Sequence, residues 1–121
     1  MPVHFIDVLP TLQKISGAEY PKKFNGDVIF PSSGVSFLPQ IMGDGSVERD
    51  DPIFWQWQYG KAVREGNWKL VAYKGVWELY NLKEDPVEEM NLINEEQEKA
   101  AALQSLYNDW AGQFEIIKKQ Y

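Results

Sequence analysis

The side chains equipped for chemistry gather on one short stretch, Gln56-Trp57-Gln58-Tyr59-Gly60-Lys61-Ala62-Val63-Arg64. Gln56, Gln58 and Tyr59 carry hydrogen-bond donors and acceptors, and Lys61 and Arg64 carry positive charge. An ammonium attracts an anionic group, and a guanidinium fork can hold two oxygens of one at once. The same groups could instead pair across strands with Glu65 or Glu78, or pack over Trp68. Elsewhere the supply is thin. His4 is the only histidine, and without a second ligand at a recognisable spacing it makes neither a zinc site nor a nucleophilic dyad. The absence of cysteine removes disulfides, thiolate metal sites and a Cys nucleophile together. Asp50-Asp51 is an acidic pair, but Arg49 and Pro52 bracket it in a polar segment, which suits a solvent-facing role. Five tryptophans raise a further possibility, because an exposed indole can stack on a sugar face. Packing accounts for Trp68, Trp77 and Trp110, which leaves Trp55 or Trp57.

The elements that must position these groups follow from pattern. Asp7 can cap a helix over 8–16, with Pro10 in its first turn, Leu9, Leu12 and Ile15 on one face and Gly17 ending it. The stretch 19–34 is interrupted by Pro21, Gly26, Pro31 and Gly34 and reads as a long irregular loop. A short helix over 36–42 stops at Gly43, and 43–52 is the best linker candidate. Four strands follow, at about 53–58, 61–65, 68–73 and 77–81, spaced as an antiparallel meander with Glu65-Gly66-Asn67 and Lys74-Gly75 at turns. Alternation puts Trp55 and Trp57 on one face and Gln56 and Gln58 on the other. Asn94 and Gln97 make a capping-box-like start to a last helix over 95–118, whose stripe is Leu103, Leu106, Tyr107, Trp110, Phe114 and Ile117. The fold class is α+β: a small four-stranded antiparallel sheet packed against one long C-terminal helix, preceded by short helices and loops. Residues 1–48 form a first region and 49–121 a second.

With 121 residues, 12 of them basic and 18 acidic, the net charge of −6 without a basic stripe argues against a nucleic-acid partner. Apolar runs are too short to span a bilayer, and no basic-then-apolar leader opens the chain, so no membrane partner is expected. The acidic stretch 84–98 reads as a polar loop and helix start.

Four blocks carry a resemblance. Ile6-Asp7 with Pro10-Thr11-Leu12 and Gly17-Ala18, then Gly34-Val35-Ser36-Phe37-Leu38-Pro39 with Gly43, then Ala62-Val63-Arg64 with Gly66 and Trp68-Lys69-Leu70, then Trp77-Glu78-Leu79-Tyr80 followed by Asp85-Pro86-x-Glu88-x-x-Asn91-Leu92 resemble the carboxy-terminal end of sulfatases of the arylsulfatase type. The resemblance implies the terminal subdomain of an alkaline-phosphatase-like fold and a parent that hydrolyses sulfuric esters. That family uses a formylglycine, made from the Cys or Ser of a C/S-x-P-S-R motif, and a divalent cation such as calcium held by carboxylates. No serine of this chain precedes x-P-S-R. The resemblance therefore implies no catalytic or metal residue here, and a segment that is inert alone. It implies a substrate-binding role for Gln56, Gln58, Tyr59, Lys61 and Arg64, since the early strands lie near the mouth of the substrate pocket. It also implies, as partners, a missing catalytic domain and a sulfated substrate, and it allows an exported parent, periplasmic or secreted, whose signal would lie upstream of Met1. A free-standing carbohydrate-binding or assembly module is the alternative, and a homodimer would cover apolar segments left without that domain.

Overall fold

The computed structural model describes residues 2–45 and 49–114, and the chain divides into two compact units between Arg49 and Asp50. The first unit opens with a 3-10 turn, Phe5–Asp7, that leads directly into α1, Val8–Ser16. A two-strand pair, β1 (Lys23–Phe24) and β2 (Asp27–Val28), and a short helix α2 (Leu38–Met42) complete it. Gly17 and Gly43 end α1 and α2 in the left-handed conformation that glycine adopts without penalty. The β1–β2 pair lies inside the stretch read as irregular loop. Its turn is Asn25-Gly26, with φ of 50° and 93°, a short-range hairpin signal present in the sequence.

Asp7 does not cap α1. It has helical backbone angles and no capping bond to that helix. Its carboxylate instead receives the His4 amide at 2.7 Å, closing the 3-10 turn, and the Val35 amide at 2.8 Å, and it pairs with the Arg49 guanidinium. Thr11 adds a second tie: its hydroxyl donates to the Asp7 carbonyl at 2.7 Å and accepts the Phe37 amide at 3.1 Å. Gly34 runs so close beneath Ile6 that a Cβ there would stand 2.0 Å from the Ile6 carbonyl oxygen. The two N-terminal sequence blocks are therefore the two halves of one clasp. Both Asp7 and Thr11 are buried, whereas Leu9, Leu12 and Ile15 of α1 are 44%, 55% and 60% exposed.

The second unit is a four-stranded antiparallel sheet, β3 (Ile53–Trp57), β4 (Gly60–Glu65), β5 (Trp68–Tyr73) and β6 (Val76–Asn81), in sequential order. Register places Val63, Leu70 and Leu79 in one cross-strand row with Phe54. Helix α3, Gln97–Gln113, lays Ala100, Leu103 and Tyr107 on that row to form the core. Trp110 stacks on Phe54 with ring centroids 5.0 Å apart and planes 4° from parallel, and Trp77 meets Tyr107 edge-on. Lys99 ties the helix to Glu65 of β4 at 2.6 Å. The helix begins at Gln97, later than its pattern suggests. The Asn94-Gln97 pair is not a capping box, since the Gln97 amide nitrogen donates to the Asn94 carbonyl and Glu96 stands at the cap. At 17 residues it is about 26 Å long. Phe114 is half exposed beyond its end, and Ile117 and Lys118 lie outside the described residues.

Two outcomes check this arrangement. Trp110→Ala removes a stacked aromatic from the helix–sheet layer and should cost about 3 kcal/mol, whereas Phe114→Ala should cost under about 1 kcal/mol; equal chemical-denaturation midpoints for the two variants would contradict the packing. The clasp should be acid-labile. Burial pushes the Asp7 carboxyl up, but hydrogen bonds from His4, Val35 and Arg49 outweigh it and hold the group below its ordinary 3.8. A depressed carboxyl contributes stability that is complete above its unfolded value and is lost as pH falls through the folded one. Amide-exchange protection of Val35 and Phe37 should therefore fall as the pH drops below about 3.8, and flat protection down to pH 2 would refute the clasp.

Candidate functional site

The first hairpin distributes its polar side chains over both sheet faces and one turn. Gln56 and Lys61 are cross-strand partners on the helix-covered face. There Gln56 accepts a hydrogen bond from the Tyr107 hydroxyl, and its amide nitrogen reaches the Gln58 carbonyl at 3.1 Å. The Lys61 ammonium lies 5.9 Å from the Tyr107 ring centroid. Burial raises the Tyr107 phenol above its ordinary range, which keeps it a neutral donor to Gln56. Gln58 and Tyr59 form the two-residue connection between β3 and β4. Gln58 takes φ of 47°, and the Tyr59 carbonyl accepts the Lys74 amide at 3.2 Å. Gln58 is thus a turn residue rather than the next residue of a strand face.

Arg64 stands apart from these four, on the opposite face. It lines a cleft of about 410 Å³ with Trp55, Ala62, Lys69, Val71, Leu82, Pro86 and Glu88. The β4–β5 register sets Arg64 directly opposite Lys69, so two cations share one cross-strand pair. Repulsion between them is relieved by Glu88, whose carboxylate receives the Lys69 ammonium at 2.6 and 2.9 Å. Arg64 turns its Nε to the Gly66 carbonyl at 3.0 Å. With two cations, one carboxylate and an indole in its lining, the cleft suits an anion carried on a flat or apolar body. Lys69 and Glu88 were not singled out by side-chain type. The signal for Lys69 was the two-residue turn at Gly66-Asn67, which forces it opposite Arg64; Glu88 reaches the cleft from a loop whose path local pattern does not dictate.

That loop is built by the last sequence block. Asp85 is buried, and its carboxylate accepts the Met90 amide at 2.8 Å. This bond above all, with the amides of residues 87–89, holds its pKa below the ordinary carboxylate range against the opposing effect of burial. Glu88 takes φ of 60° as it turns toward Lys69. Asn91 accepts the amides of Leu79 at 3.0 Å and Ile93 at 3.1 Å, and the Leu92 amide reaches the Leu79 carbonyl at 2.8 Å. Asn91 and Leu92 thereby satisfy the outer edge of β6. Each polar residue of the block has a structural partner. In the first unit a wider hollow of about 820 Å³ is lined by Pro10, Gln13, Gly17, Tyr20 and Pro39 among others, with Lys14 its one charged residue. Among the described residues, no three His, Cys, Asp or Glu side chains come together as a metal-binding group.

No family model matches the chain. It is 33% identical over 98 residues to an uncharacterised sulfatase of Schizosaccharomyces pombe, a match that covers 74% of this chain and 18% of that protein. Among solved structures, a candidate sulfatase from Bacteroides thetaiotaomicron superposes with a TM-score of 0.64 at 25% identity, over 88% of this chain and 24% of the other. A 2-O GAG sulfatase gives the same values. At 19% identity and a TM-score of 0.65, i-CgsB in complex with a neocarrahexaose shares the fold, over 87% of this chain and 23% of its own. The chain spans about a fifth to a quarter of the length of these relatives. Matched over 74% of its length by a relative 33% identical, the chain belongs to the sulfatase family, of whose members it spans a minor part.

Proposed function

We propose that this chain is the carboxy-terminal portion of a sulfatase, a sulfuric ester hydrolase, and that it completes the fold, buttresses the catalytic domain and shapes the outer substrate pocket. The observation that carries the reading is the division of labour among its residues. The buried carboxylates and the amide of the sequence blocks that resemble the family, Asp7, Asp85 and Asn91, are spent on structure, while Arg64 of those blocks lines its cleft. The formylglycine and the divalent cation of the family find no fit here: the sequence has no cysteine and no serine before x-P-S-R, and the described carboxylates form no metal-binding group. The chemistry belongs to the rest of the parent.

The apolar surface of the first unit supports the same reading. Phe5, Leu12, Ile15 and Phe30 are 86%, 55%, 60% and 84% exposed, a larger share than a self-contained unit leaves bare. The missing catalytic domain is the body that would cover them. Without it, two copies pairing through this surface would hide it instead. Of the hairpin residues, Arg64 in its cleft is best placed to meet a sulfated substrate, while Gln58 and Tyr59 stand at the turn at the other end of β4, outside that cleft; Gln56 and Lys61 act through Tyr107, holding strand and helix together.

The purified 121-residue chain should show no aryl sulfate turnover, with or without calcium, and should sediment above 14.0 kDa at micromolar concentration. Metal-dependent turnover by the chain alone would overturn the reading, and a clean monomer would remove its interface argument. In the full-length parent, Arg64→Ala should raise KM about tenfold while leaving kcat within a few-fold, the pattern of lost ground-state binding. An unchanged KM would remove Arg64 from the pocket.

A further inference from the structure

One exposed cluster is used neither by the core nor by the Arg64 cleft. Register aligns Trp57, Gly60, Tyr73 and Val76 in a single row across all four strands, on the face away from α3. Trp57 is 78% exposed, Tyr73 63% and Val76 67%. Gly60, between the two aromatic residues, has no side chain to fill the gap, and a Cβ there would crowd the Trp57 carbonyl oxygen at 3.2 Å. Two strand spacings set Trp57 and Tyr73 roughly 10 Å apart in one line. Lys74 braces the end of the row: its ammonium lies 5.4 Å from the Tyr73 ring centroid and 5.8 Å from that of Tyr59. Such cation–π contacts restrain the rings before anything binds, which lowers the ordering cost of binding.

We propose that this row is a binding platform for a saccharide chain, with Trp57 and Tyr73 stacking on two sugar rings along it. The chemistry favours a sugar over other partners. Sugar rings present flat C–H faces to an aromatic surface and hydroxyls at their edges, and the row supplies both matches: two separated apolar faces, with the indole N–H, the tyrosine hydroxyls and the Lys74 ammonium at their margins. A nucleic acid also stacks on aromatic rings, but the net charge of −6 opposes its phosphates. A protein interface concentrates its energy in packed, fully desolvated pockets, whereas these rings are isolated and stand over a glycine gap. Trp55 does not belong to the platform, since it points into the Arg64 cleft.

Affinity electrophoresis and calorimetry of the full chain, with soluble neutral β-glucan and with soluble neutral galactomannan as probes, test the proposal. Retardation by at least one probe is expected. Trp57→Ala and Tyr73→Ala should each weaken that binding about tenfold. Both sites are exposed, so unfolding midpoints should match that of the unsubstituted chain. Trp55→Ala should leave the binding unchanged. No retardation by either probe, binding that survives the Trp57→Ala/Tyr73→Ala double variant, or loss that follows Trp55 rather than Trp57, would each overturn the proposal.

Discussion

The row Phe54, Val63, Leu70 and Leu79 is the constraint from which the second unit follows. Antiparallel register makes these residues neighbours on one face, and only a helix carrying Leu103 and Tyr107 at four-residue spacing covers them. A shift of one residue in any hairpin would move that strand's part of the row to the other face. The turns at Gln58-Tyr59, Gly66-Asn67 and Lys74-Gly75 hold the register, with Gln58, Gly66, Lys74 and Gly75 all at positive φ. The groupings on the other face are by-products of this alignment. The register that buries Val63 also sets Arg64 against Lys69 on the opposite face and lines Trp57 up with Tyr73.

Much of this was legible in the sequence. The four strands and α1 fall where alternation, turn residues and Gly17 put them, because those signals are local and the elements obey local rules. The departures from it have other causes. Asp7 has the composition of a cap, yet its carboxylate is claimed by Val35 and Arg49, 28 and 42 residues away, and no local pattern encodes such partners. The last helix starts late because Glu96 takes the cap position; the Glu96 amide is still tied back to Leu92. The β1–β2 pair was legible in Asn25-Gly26 and was missed because its two-residue strands are too short to show alternation.

The hairpin's polar residues show how far closeness in sequence and closeness in space can part. Gln56, Gln58, Tyr59, Lys61 and Arg64 are close in sequence, but pleating and the turn send them in three directions. Gln56 and Lys61 go beneath α3, Gln58 and Tyr59 go to the sheet end, and Arg64 goes to the far face. What collects around Arg64 comes instead from β5 and from the loop that Asp85 folds. A charge is brought to a site by register and loop path, and both are set by residues whose own roles are structural.

The clasp of the first unit fixes chain positions 7 and 11 against 35 and 37, and the close pass of Gly34 under Ile6 locks the crossing. Residues 18–33 leave this knot and return to it, and nearly all of them face solvent. Their own hairpin is anchored only to itself and to Lys22. For a loop closed in this way, doubling its length adds only about 0.6 kcal/mol of closure entropy. The segment can therefore lengthen, shorten or take in a foreign insertion while both ends stay seated, a change of length that the clasp does not feel.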